Sequence, residues 1–259
     1  MPKMNVFSLE GKQALVAGAS RGIGLAIARG LAEAGAHTIL ASRSTDAVEA
    51  EARALREQGH SAAALRLDVA DPESIQSAVA ACPEADILVN VAGINLRKRF
   101  EDYTRQEYDK LLETDLHGIV HLTQLAGKRM IERARGGKIL FIGSMMSILG
   151  LPYITVYGIA KSALAGLTRT LAAEWGPHAI QVNCIAPGMI VTDLNRVMWQ
   201  SEPMLEWFQG MAANPRLGKP EDVAPLAVFL AGSGADYITG QVIAVDGGYS
   251  TTARWPFSP

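Results

Sequence analysis

Ala17-Gly18-Ala19-Ser20-Arg21-Gly22-Ile23-Gly24 separates a short apolar run, Gln13 to Gly18, from a stretch with Leu25, Ala28, Leu31 and Ala32 at helical spacing, which Gly35 terminates. A strand that turns into a helix through clustered glycines leaves backbone N–H groups free to approach a pyrophosphate at the helix N-terminus. That geometry constrains the whole chain. Such a loop belongs at the carboxyl edge of a parallel sheet, and a parallel sheet requires a crossover after every strand.

The remaining sequence supplies the alternation. Apolar runs at His37–Ser42, Ser61–Val69, Asp86–Val89, Ile139–Ile142, Ile180–Ala186 and Gln241–Val245 predict six further strands. Between them, helical spacing covers 46–59, 72–81, 104–135, 155–175 and 220–231, with Pro72 in a first turn and Gly176-Pro177 and Gly232 at ends. Asp46, with Glu49 three residues on, reads as a helix cap. The expected fold is α/β, a doubly wound seven-stranded parallel sheet of the Rossmann type formed by one domain over residues 1–259. Residues 193–215 break the pattern with Trp199, Pro203, Trp207, Phe208 and Pro215, and read as a helical lid over a substrate.

Several function classes are disfavoured. A formal net charge of -2 with no Lys/Arg-rich block argues against a nucleic-acid surface. No apolar run reaches the ~18 residues of a membrane helix, and Met1-Pro-Lys-Met-Asn-Val-Phe-Ser has no signal-peptide core. Cys82 and Cys184 lie far apart beside or within apolar segments, as reduced core thiols of a cytoplasmic protein do. His117 and His121 are spaced i, i+4 without an evident third ligand, so no metal is expected.

The chemistry concentrates between Lys138 and Lys161. The run Ile139–Ile142 ends in Gly143-Ser144, and Tyr157-Gly-Ile-Ala-Lys161 opens the next helix. Tyr157 and Lys161, four apart, share a helix face, while Ser144 sits at the strand end where open α/β sheets bind ligands. A free tyrosine ionises near ~10, and an adjacent ammonium favours the phenolate. A base removing an alcohol proton as hydride departs must be poised near the working pH, and a serine hydroxyl can steady the substrate oxygen. The end of the second strand, Ala41-Ser42-Arg43-Ser44, carries no carboxylate for a ribose 2′-hydroxyl. Arg43, aided by Arg21, suits a 2′-phosphate instead, so the expected cofactor is NADP(H).

These motifs together resemble the short-chain dehydrogenase/reductase family in its Ser–Tyr–Lys form, over about Leu9 to Tyr249. The resemblance implies a catalytic group of Ser144, Tyr157 and Lys161, with Asp115 where the family has asparagine. It implies cofactor contacts from Gly18, Ser20, Arg21, Gly22, Ile23 and Gly24 in the loop, and from Ser42 and Arg43. Asp68 and Val69 would meet the adenine; Asn90, Ala92 and Gly93 would run along the cofactor, and Tyr157 and Lys161 would hold the nicotinamide ribose. Pro187, Gly188, Ile190 and Thr192 would bracket the nicotinamide. Ala17 and Val91 depart from the family's usual Thr and Asn. The segments Phe7–Lys12, Ser20–Ala26, Gly93–Arg97 and Thr192–Arg196 look like the gluconate 5-dehydrogenase branch, implying a sugar acid held by Ser144, Arg97, Asn195 and Arg196. The three cations Arg97, Lys98 and Arg99 are candidates for an anionic substrate, Arg97 first. Trp199 and Trp207 keep open a more apolar ketone or 3-oxoacyl thioester. A cofactor-sensing binding protein is the non-enzymatic alternative, with Asp115 as its foothold. The family commonly forms tetramers, and Trp255 and Phe257 in the tail suggest docking on a neighbouring subunit.

Overall fold

The computed structural model of the chain describes residues 6–193 and 195–252. Seven parallel strands form one sheet: β1 (Gln13–Ala17), β2 (His37–Ser42), β3 (Ala62–Arg66), β4 (Ile87–Asn90), β5 (Gly137–Ile142), β6 (Ile180–Pro187) and β7 (Val242–Val245), in the order β3-β2-β1-β4-β5-β6-β7. The expected Rossmann-type fold is therefore the observed one. From β1 the chain steps outward to β2 and β3, then returns to β4 on the other side. The crevice at this reversal is where such sheets take ligands.

Helices α1 (Gly22–Glu33), α2 (Thr45–Glu57), α3 (Pro72–Ala81), α4 (Arg105–Leu112), α5 (Gly118–Arg133), α6 (Thr155–Trp175), α7 (Glu202–Met211) and α8 (Pro220–Ala231) supply the crossovers and the cap. The central strands are largely apolar because both sheet faces are covered there, and the pleat divides their side chains by alternation. Ala14 and Val16, Ile87 and Val89, and Leu140 and Ile142 enter one core with α1, α2 and α8. Leu15 and Ala17, Leu88, and Ile139 and Phe141 enter the other, with α3, α5 and α6. Gly127 lets α5 meet α6, since a Cβ there would sit 2.4 Å from the Trp175 ring.

One local expectation needs correcting. Asp46 is not a cap: Ser44 occupies the N-cap of α2, without a side-chain cap bond, and Asp46 lies in the first turn. The long helical region expected over 104–135 is helical from Arg105 to Arg133, with a π-helical turn, Glu113–His117, between α4 and α5. Its wider turn carries Asp115 inward to complete burial. It leads into Gly118, where a Cβ would lie 1.8 Å from the Val69 carbonyl oxygen. Gly118→Ala must push two backbones apart. It should cost about 1–3 kcal/mol, read as a fall in Tm of about 2–12 °C by differential scanning calorimetry.

The region expected as a lid contains a 3-10 turn, Met198–Gln200, and α7. Trp199, Phe208 and Tyr249 pack there with Met145, Met146 and Ile154 from the end of β5 and the start of α6, as a satellite of the main core. Among the described residues, no helix is long and apolar enough to cross a membrane. Trp255 and Phe257 lie outside the described residues.

Candidate active site

The carboxyl ends of the central strands open onto a cleft of about 860 Å³. One half is lined by the glycine turn. Gly18 adopts φ +97°, a left-handed conformation natural only to glycine, and a Cβ there would lie 2.6 Å from the Ala92 nitrogen. A Cβ on Gly24 would approach the Gly18 carbonyl oxygen to 2.1 Å. Helix α1 starts with no side-chain cap bond from Arg21 and no acid in its first turn. Its first N–H groups and its positive dipole end remain for an anion in the cleft that Ser20, Arg21, Gly22, Ile23 and Gly24 line. A dinucleotide's pyrophosphate fits this cradle.

Arg21 and Arg43 are both exposed and both line the same end. Neither forms an ion pair among the described residues. The Ser42 hydroxyl also lines the cleft but is engaged in its own turn, accepting from the Ser44 N–H at 3.0 Å and donating to the Ser44 carbonyl at 3.2 Å. Val69, Ala92 and Gly93 continue the wall, and Pro187, Gly188, Ile190 and Thr192 form the facing side. Two residues expected to contact the cofactor are not part of this wall. The Asp68 carboxylate accepts from the Ala70 N–H at 3.0 Å and tightens the turn after β3, while Asn90 is buried and donates to Thr123 Oγ1 at 3.1 Å. Neither side chain is part of the lining.

Ser144, Tyr157 and Lys161 converge on the other half. Ser144 ends β5 as the N-cap of a short 3-10 turn, its Oγ accepting from the Met146 N–H at 3.2 Å, which leaves the hydroxyl proton to donate. That turn is fastened to α6. Ser147 donates to the Lys161 carbonyl at 2.8 Å, and Ser162 donates to the Met146 carbonyl at 3.1 Å. These two bonds register the serine against the helix that carries the tyrosine. Lys161 is only 4% exposed; its Nζ donates to the Ile142 carbonyl at 3.1 Å and lies 5.4 Å from the centre of the Tyr157 ring. Asp115 Oδ2 is 3.7 Å from the same Nζ, and Oδ1 accepts from the Ile94 N–H at 2.7 Å. Burial, only partly offset by Lys161 and the Ile94 bond, raises the Asp115 carboxyl above its ordinary value. Cys184, beneath this group in β6, is pushed up to about 11 by burial, so its thiol stays protonated and unreactive.

The loop after β4 sorts the three cations. Lys98 pairs with Glu107 at 2.9 Å and Arg99 with Glu101 at 3.8 Å. Arg97 alone of the three lines the cleft, and it has no ion pair among the described residues. The loop is tied down by Ile94 to Asp115 and by the Lys98 N–H to the Tyr153 carbonyl at 2.8 Å. The other two substrate candidates behave differently. Asn195 reaches the cleft, but its side chain staples the loop after β6, accepting from the Thr192 N–H and donating to the Ile190 carbonyl, both at 2.8 Å. Arg196 pairs with Asp193 at 2.8 Å, is largely exposed, and does not line the cleft.

Sequence reasoning missed Asn95 as a site residue. It lines the cleft with an unpartnered, buried Oδ1, while Trp199, across the cap, has an unpartnered indole N–H. The only signal for Asn95 was its place between Gly93 and Arg97. His117 pairs with Glu113 on the surface, and no metal-ligating cluster of three occurs among the described residues.

Comparison with known proteins agrees with this geometry. A family model described as enoyl-(acyl carrier protein) reductase, of the short-chain dehydrogenase type, matches residues 18–250. Gluconate 5-dehydrogenase of Gluconobacter oxydans is 35% identical, over 97% of this chain and 100% of the relative. The 2-dehydro-3-deoxy-D-gluconate 5-dehydrogenase of Bacillus subtilis is 39% identical, over 95% of this chain and 97% of the relative. A gluconate 5-dehydrogenase from Burkholderia cenocepacia, solved in complex with NADP and tartrate, superposes with a TM-score of 0.92 at 34% identity, covering 96% of this chain and 98% of that one. With a family model matched over residues 18–250, relatives 35–39% identical over nearly the whole chain and a seven-stranded parallel sheet that superposes on theirs, this chain belongs to the short-chain dehydrogenase/reductase family.

Proposed function

We propose that the chain is an NADP-dependent oxidoreductase that interconverts a secondary alcohol and its ketone on a sugar acid of the gluconate and 5-ketogluconate kind. The observation that carries this reading is the meeting of Ser144, Tyr157 and Lys161 in one cleft with an ion-pair-free arginine, Arg97, at its substrate side. Relatives that act by name on gluconate or its keto forms support the substrate class.

When bound, the nicotinamide supplies the hydride acceptor for oxidation and the hydride donor for reduction. The chain's residues do the rest. Ser144 donates to the reacting oxygen, and Tyr157 takes the hydroxyl proton as the carbinol C–H electron pair departs, leaving C=O. In reduction Tyr157 returns that proton. Lys161 holds positive charge beside the ring, with one N–H engaged by Ile142 and another available for the cofactor ribose. Arg97 offers a bidentate partner for a carboxylate. Arg21 and Arg43 would take the 2′-phosphate, and the α1 N-terminus the pyrophosphate.

Gluconate oxidation and 5-ketogluconate reduction, followed by nicotinamide absorbance with NADP and NAD offered separately, test the reading. Turnover with NADP on either sugar acid is the expected result. In Arg43→Ala the KM for NADP should rise by about 10–100-fold, the loss of one or two charge-assisted bonds, with little change for NAD. An equal change for both cofactors would remove the 2′-phosphate role. A second reading has its own observation. Met145, Met146, Met198, Trp199, Met204 and Trp207 give the substrate end an apolar wall, which suits an apolar ketone or 3-oxoacyl thioester. Turnover of such ketones with none on sugar acids would favour it.

A further inference from the structure

We propose that Asp115 is a positioning residue whose negative charge partly neutralises Lys161 and so moves the working range of Tyr157 to more alkaline pH. This rests on the proposed role of Tyr157 as the acid/base.

The geometry is specific. Asp115 is fully buried on the π-helical turn, and one oxygen is spent on the Ile94 N–H. The other, Oδ2, has no hydrogen-bond partner, and lies 3.7 Å from Lys161 Nζ. Little else could balance it. From α6 it is faced by Lys161, with Tyr157 beyond at 5.4 Å from that ammonium; from β6, the thiol of Cys184 approaches the lysine but stays protonated. From the loop after β4 come only Gly93, whose missing Cβ would sit 2.9 Å from Oδ2, and the Ile94 backbone. On its own turn, Glu113 and His117 point outward and pair with each other. Lys161 is thus the only cation against this carboxylate among the described residues, and Asp115 its only counter-charge.

The sign follows from Coulomb's law. An ammonium beside a phenol favours the phenolate, and a carboxylate beside that ammonium cancels part of its field. An ionised Asp115 would therefore oppose the help that Lys161 gives the phenolate, an effect confined to pH above the point where Asp115, itself raised by burial, loses its proton. Removing the charge while keeping the shape should reverse this.

Asp115→Asn is the natural test, because an amide oxygen can still accept from Ile94 and the volume hardly changes. Two readouts are followed against pH: kcat/KM for oxidation, and phenolate ultraviolet absorbance assigned to Tyr157 by subtracting the matching Tyr157→Phe protein. Both midpoints should fall by on the order of one pH unit, about a tenfold rate gain on the rising limb. Lys161, not Asp115, lies beside the ring and would meet the cofactor, so a merely structural role for Asp115 would lower kcat without moving either midpoint. A midpoint unmoved or raised overturns the proposal. If Asp115→Asn fails to fold, Asp115→Ser, neutral and smaller, must show the same downward shift. The absorbance titration needs no substrate. A shift seen there while Tyr157→Phe retains turnover would leave the charge coupling standing and sink the catalytic reading; no shift alongside an inactive Tyr157→Phe would do the opposite.

Discussion

Tyr157→Phe should lower kcat by about 10²–10⁴-fold, the range typical for loss of a positioned acid/base, while leaving NADP binding within a few-fold of the parent. The ring stays, so its packing against Val156, Leu111 and Leu112 on one side and the capping cluster on the other is kept. Lys161 also keeps its bond to the Ile142 carbonyl and its place beside Asp115. Only the hydroxyl proposed to move the proton is removed. Stopped-flow turnover together with cofactor fluorescence titration separates the two effects. Retained turnover would mean that another group moves the proton. A protein that merely senses cofactor would show equal binding and no turnover in parent and variant alike.

Gly24→Ala should act on the opposite half. Its Cβ would meet the Gly18 carbonyl oxygen at 2.1 Å, and a contact between two backbones cannot be relieved by a rotamer change. Gly18 is itself pinned, because its N–H donates to the Ala41 carbonyl at 2.8 Å and it abuts Ala92. The strain must spread through the cradle at the start of α1. At about 1–3 kcal/mol of overpacking, cofactor Kd should rise by about 10–100-fold. At saturating cofactor, kcat should change far less, because the side chains proposed to react stand at the end of β5 and on α6. Isothermal titration calorimetry with NADP checks the first statement and saturated turnover the second. An unchanged Kd would show that the loop tolerates a side chain where the structure leaves no room.

The two halves differ in how far they could be read from sequence. Local patterns carried the glycine turn, the seven apolar strands and the Tyr157–Lys161 spacing, because each depends on neighbours within one turn or one strand. The position of Ser144 followed from where an apolar run stopped. What could not be read depended on partners distant in sequence. Arg97, Lys98 and Arg99 look alike in a row, and only Glu107 and Glu101 decide which of them are occupied. Asn195 and Arg196 are polar residues in the right segment, yet one staples the loop and the other pairs with Asp193. Asp68 and Asn90 stand next to cleft residues, but their side chains bond to Ala70 and Thr123.

Asp115 shows the division most clearly. Its identity, a carboxylate where the family resemblance leads one to expect an amide, is written in the chain. Its consequence is not. A π turn brings it inward, Gly93 makes room for it, and α6 places Lys161 at 3.7 Å, so three segments more than twenty residues apart create one electrostatic unit. The sequence by itself determined the sheet, the glycine turn and the places of Ser144, Tyr157 and Lys161, since periodicity and turn chemistry are short-range. The tertiary structure alone decided which charges are paired and which are free, because Coulomb and hydrogen-bond partners are chosen by distance in space.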